Sequence, residues 1–113
     1  MSTDTGGARH RDRAETLRAA VAGAAGVTEA SLRTATAVRA AGGSPTTEPY
    51  DTLARQIGEA SYRVTDADVD AVRQATGSDK ATFEIVMSAC IGAGLARWDA
   101  AARAIEEATD ASA

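Results

Sequence analysis

Few side chains in this sequence have the chemistry to act on a substrate, and their spacing assigns them no shared site. Cys90 is the sole thiol and His10 the sole imidazole. A dithiol cycle needs a resolving cysteine, and a reactive thiolate needs exposure and a positive setting. Cys90 lies between Ala89 and Ile91 in an apolar run, where it is expected to be a neutral, structural thiol. Its alternative is a one-cysteine peroxidatic role. One histidine without a cysteine cluster supplies no transition-metal ligand set, so no metal and no cofactor is expected. Asp66, Asp68 and Asp70 open like a calcium loop, but the sixth and twelfth places hold Ala71 and Gly77 instead of Gly and Glu. Acids in a first helical turn complement the helix dipole, which accounts for them. No GxxxxGK[ST], GxGxxG or GxSxG is present.

Four side chains remain as a candidate ligand or thiol site between the third and fifth helices: Cys90, Arg97, Glu84 and Tyr62. Arg97 falls on the helical stripe that carries Phe83, Val86, Met87, Cys90, Ala93, Gly94, Ala101 and Ile105. A guanidinium there must find an acid or carbonyls, or reach outward past the apolar surface. A structural ion pair or interface contact is the simpler expectation, and an anionic ligand the sharper one. Glu84 borders the polar side near a helix start, where the dipole already favours an acid. Tyr62 points away from the buried face that holds Tyr50, towards a partner. Trp98, the sole tryptophan, is expected to anchor a core or an interface.

The chain that must position these residues reads as helical throughout. At 113 residues it is sized for one domain with a real core. That core is thin in bulk. Alanine supplies 28 residues, against 16 for Leu, Ile, Val and Phe together. Alanine favours helix but buries little area, so a second subunit is expected to complete the packing. A net charge of −4 opposes nucleic-acid binding. No apolar run of about 18 residues suggests a membrane span. No apolar leader opens the sequence, which makes the cytoplasm the expected compartment.

Residues 1–12 carry no periodic apolar pattern and are expected to be a disordered tail, followed by one helical domain over 13–108 and a frayed end over 109–113. Within the domain, a helix over 13–25 places Leu17, Ala20, Val21 and Ala24 on one stripe. Thr28 is placed to cap a second helix that runs to Ala41, with a blurred face of Leu32, Ala35 and Val38. Pro49 enters a third helix, whose face of Tyr50, Leu53, Ala54, Ile57, Ala60 and Ser61 is the clearest in the chain. Thr65 and Asp68 form a capping box for a short fourth helix that buries Val69 and Val72 and ends at Gly77.

The fifth helix, from Ser78 to about Ala108, is the informative one. Thirty helical residues rise about 45 Å, longer than a compact domain of this size is wide. It must bend at Gly92 and Gly94 or project. From Ile85 to Leu95 it is apolar or small on every side, and such a helix requires cover on every side. Self-association through Met87, Ile91, Leu95 and Trp98 follows.

With these helices placed, the stretch from Leu53 to Glu106 resembles the C-terminal half of alkylhydroperoxidase D-like proteins, within the carboxymuconolactone decarboxylase superfamily. The likeness rests on Val64–Val69, Gly77–Asp79, Phe83–Glu84 and Ala89–Arg97. It implies an all-helical bundle with a long C-terminal helix, a homo-oligomer, or a complex with a family homologue. Active members resemble dithiol peroxidases with a CxxC pair, or decarboxylases that use a histidine. Here the corresponding run, Arg55-Gln56-Ile57-Gly58-Glu59, holds neither. The expected function is therefore that of a non-catalytic oligomerising or accessory protein. Its alternative is a ligand-binding or enzymatic member with an atypical site around Cys90 and Arg97.

Overall fold

A computed structural model describes residues 5–112, which form five α-helices and, among the described residues, no strand: α1 (Thr5–Ala22), α2 (Ala30–Ala40), α3 (Tyr50–Ala60), α4 (Asp66–Thr76) and α5 (Asp79–Ser112). A single 3-10 turn, Ser61–Arg63, follows α3. The core joins Leu53, Ala54 and Ile57 of α3 to Val72 of α4, with Ile85, Ala89 and Ala93 of α5 and Ala40 of α2. The period of 3.6 read in α3 holds, except that Ser61 leaves the buried face and opens the 3-10 turn.

The entry to α4 is built as its letters imply. Thr65 Oγ1 accepts from the Asp68 N–H, and the Asp68 carboxylate accepts from the Thr65 N–H, satisfying two donors that a helix start leaves free. Gly77 closes the helix in the left-handed region. Ser78 Oγ then accepts from the Ala81 N–H to start α5.

Three expectations change. The first concerns the ends: α1 begins at Thr5, well before residue 13, and α5 runs on to Ser112. Once a helix has nucleated, each added alanine or arginine costs little, so helix extends where no apolar pattern marks it. Residues 1–4 and 113 of the expected tails lie outside the described residues. The second concerns α2, whose buried positions are Arg33, Thr36 and Ala40, while Val38 is exposed. The reason is close approach. A Cβ on Gly92 of α5 would collide with the Ala37 carbonyl, and one on Gly58 of α3 with the Ala40 carbonyl. Backbones this near leave room for small side chains and for one long side chain threaded along the helix end. The third concerns Thr28, which does not cap α2. Glu29 occupies the N-cap without a side-chain hydrogen bond, and the Thr28 hydroxyl donates to Glu84 instead.

Helix α5 is continuous, and the molecule measures 53 × 28 × 21 Å along its principal axes. The helix therefore resolves its length by projecting, without bending at Gly92 or Gly94. By length and composition it is apolar enough to cross a membrane, contrary to the count of uninterrupted apolar residues. Only 28 % of its most apolar window is buried in this fold. Alanine and glycine carry that apolarity around Arg97 and Asp99, and the buried part, Ile85, Ala89 and Ala93, forms the core.

Candidate functional site

The geometry distributes the four candidate residues over four places. Glu84 is a structural hub. Its carboxylate accepts from the Val27 N–H (2.8 Å), the Thr28 N–H (2.9 Å) and the Thr28 hydroxyl (2.6 Å). Its Oε1 lies 3.8 Å from Nη1 of Arg33. The Thr28 hydroxyl, the two backbone N–H groups and then the nearby guanidinium hold this carboxyl down to about 2. Arg33, only 3 % exposed, donates in turn to the carbonyls of Val21 (2.9 Å), Gly23 and Thr28. The pair thus binds the end of α1, the loop that follows it and the first turns of α5. Gly26 makes the turn feasible: its φ of 137° is one that side-chain-bearing residues rarely adopt, and a Cβ there would press on Glu84 and Arg33.

Arg97 lies elsewhere. Its Nη2 donates to the Gly58 carbonyl of α3 at 2.7 Å, at the edge of a groove of about 240 Å³ between α2, α3 and α5 that Glu59 also lines. It takes the backbone-carbonyl option, and among the described residues no acid pairs with it. Tyr62 is 82 % exposed, with the Arg63 guanidinium 5.8 Å from its ring, and points away from the bundle. Neither residue approaches Cys90.

Cys90 is exposed, contrary to its expected place inside an apolar wrap. The segment 85–95 is covered on one side by α2 and α3, and α1 lies over Ile91 and Leu95, leaving both partly buried. The remaining side of α5 is open. There α1 and α5 frame a groove of about 470 Å³ lined by His10, Arg13, Leu17, Met87, Cys90 and Trp98. Leu17, Met87 and Trp98 are each about two-fifths exposed, and the His10 ring lies 5.4 Å from the indole. Trp98 is thus neither in the core nor covered. Arg18, 3.0 Å from Asp99, clips α1 to α5 on its other flank.

The α1 side of this groove was not legible from the sequence. His10 and Arg13 fall outside or at the margin of the segment with apolar periodicity, and Arg33 occupies a face that hydropathy assigns to solvent. The one signal available for Arg33 is its spacing with Thr36 and Ala40, three and seven residues on, a stripe that adjoins the Leu32–Ala35 side.

Among the described residues no group of three His, Cys, Asp or Glu side chains could hold a metal ion. Comparison with family models, with curated proteins and with solved structures finds no match.

Proposed function

We propose that this chain is a non-catalytic helical protein that works by assembly, as an oligomerising or accessory subunit. The supporting observation is the open apolar side of α5, where Met87, Cys90 and Trp98 border a groove that α1 only partly closes. Large apolar side chains exposed along one strip mark an interaction surface in a protein this size. The dispersal of Glu84, Cys90, Arg97 and Tyr62 also favours it. The first is fully engaged in holding a loop, and the other three share no cavity. A small-molecule site joining Cys90 to Arg97 has no geometry behind it, because the two line different grooves.

The resemblance to alkylhydroperoxidase D-like proteins agrees with an assembling helical bundle, and the departure from that family's CxxC pair agrees with a non-catalytic role. In this reading the protein acts in the cytoplasm and needs no cofactor.

Size-exclusion chromatography with light scattering tests the proposal. An oligomer, or a stoichiometric complex with a protein encoded beside it, is expected. A chain that stays monomeric from micromolar to near-millimolar concentration and binds no such neighbour would overturn it.

A further inference from the structure

We infer that the groove between α1 and α5 binds a small amphiphilic anion, an alkyl carboxylate of fatty-acid type. Its head is held at Arg13 and His10, and its tail lies along α5. The inference goes beyond the assembly reading and does not rest on it. Phe83 and Ile105, the most exposed large apolar side chains of α5, do not line this groove. The first support is charge. Two lining residues, His10 and Arg13, are basic and none is acidic, in a chain whose net charge is −4. Other arginines are occupied: Arg18, Arg39 and Arg73 each hold a carboxylate, and Arg97 holds a carbonyl. Arg13 holds neither among the described residues. An unengaged guanidinium beside apolar surface suits a carboxylate, with which it makes paired, charge-assisted hydrogen bonds.

The polarity is arranged lengthwise. On α1 the basic residues come first, and Ala14 and Leu17 follow on the same face. The His10 ring lies against Trp98, which sets the charged end beside the indole. From there the α5 wall runs back through Leu95, Gly94, Ile91 and Cys90 to Met87, with no charged side chain. That wall spans 98 − 87 = 11 residue steps, about 16 Å. The groove holds about 470 Å³, inside the range of about 300–1,000 Å³ usual for small-ligand sites. A stable protein interface takes about 20–30 residues a side, and only ten line this groove. By itself it suits a small molecule better than a subunit.

Gly94 gives the groove its depth. A Cβ built there meets nothing within 4 Å, whereas one on Gly92 would collide with the Ala37 carbonyl. Packing within the chain therefore does not call for glycine at position 94, where a helix interior disfavours it. With Ala14 on the other wall, it keeps the middle of the groove clear. Leu17, Met87 and Trp98, each about two-fifths exposed, are the surface that an alkyl tail would dry. Each methylene buried there strengthens binding about three- to four-fold.

Trp98 emission of the full chain, titrated with submicellar decanoate, tests the site. A saturable blue shift is expected. Octanoate, two methylenes shorter, should bind about ten-fold more weakly, and acetate should not bind. Decyltrimethylammonium carries the same tail with the opposite charge and should bind at least about ten-fold more weakly than decanoate. Arg13→Gln alters an exposed residue and should keep its helical circular dichroism. It should weaken decanoate about ten-fold without weakening decyltrimethylammonium. Gly94→Leu should fold, fill the groove and abolish binding of both. Equal binding of the two decyl probes, undiminished binding to Gly94→Leu, or no saturable shift overturns the site. Light scattering beside the titration keeps the two readings apart. A monomer that binds decanoate overturns assembly alone, and an oligomer that does not bind it overturns this site alone.

Discussion

Arg33 and Glu84 lie 3.8 Å apart, with the Thr28 hydroxyl hydrogen-bonded to both, and together they tie the end of α1 and the loop after it to α2 and α5. The depressed pKa of Glu84, about 2 against 4.5, sets the sign of a pH dependence. The folded chain holds the ionised form more tightly than the unfolded chain does. Its contribution is fully present above about pH 4.5 and is lost as pH falls towards 2. The denaturation midpoint should therefore drop over that window. Glu84→Gln should flatten the decline while lowering stability at pH 7. An unchanged pH profile in Glu84→Gln would show that other carboxylates carry the acid sensitivity.

Removing the guanidinium should cost more than removing an exposed charge. Arg33→Met strands the carbonyls of Val21, Gly23 and Thr28 and leaves Glu84 without its cation. Breaking one half of a buried charged network typically costs about 3–5 kcal/mol. Urea unfolding checks this. A loss near that of a surface pair, below about 1 kcal/mol, would show the network to be dispensable.

Gly92 and Gly94 stand two residues apart and should respond oppositely to the same change. Gly92→Ala drives a methyl into the Ala37 carbonyl and should destabilise by about 1–3 kcal/mol as α2 is displaced. Gly94→Ala meets open space within one copy and should stabilise the isolated fold by up to about 1 kcal/mol. Thermal unfolding of both variants at low concentration, where the single copy is observed, separates the two. Equal effects would contradict the close approach of α2 and α5.

How much of this was legible follows from what each element uses to hold itself. Helices α3 and α4 announce themselves, because one buries a regular apolar face and the other closes a Thr65–Asp68 box in four consecutive letters. Helix α2 does not. Its position is fixed by backbone contact at Gly58 and Gly92, and by an arginine whose partners are carbonyls, neither of which leaves a hydropathy pattern. The N-terminal turns of α1 are invisible for a similar reason: their environment is the Trp98 side of α5, many residues away. The surplus apolarity of α5 was legible from composition. Which side stays open was not, because that depends on where α1 lies.

Trp98 reports on the open side directly. It is the sole tryptophan, 40 % exposed, and its ring faces His10 of α1, so its emission reads cover at this place alone. In a single copy the indole remains partly wetted and should emit towards the red. When a subunit meets the open side of α5, as the assembly reading holds, Trp98 loses water against it and its emission should shift to the blue as concentration rises. The midpoint should coincide with the mass transition seen by light scattering. A blue shift independent of concentration would mean that Trp98 is covered within one copy, by a movement of α1 over the groove.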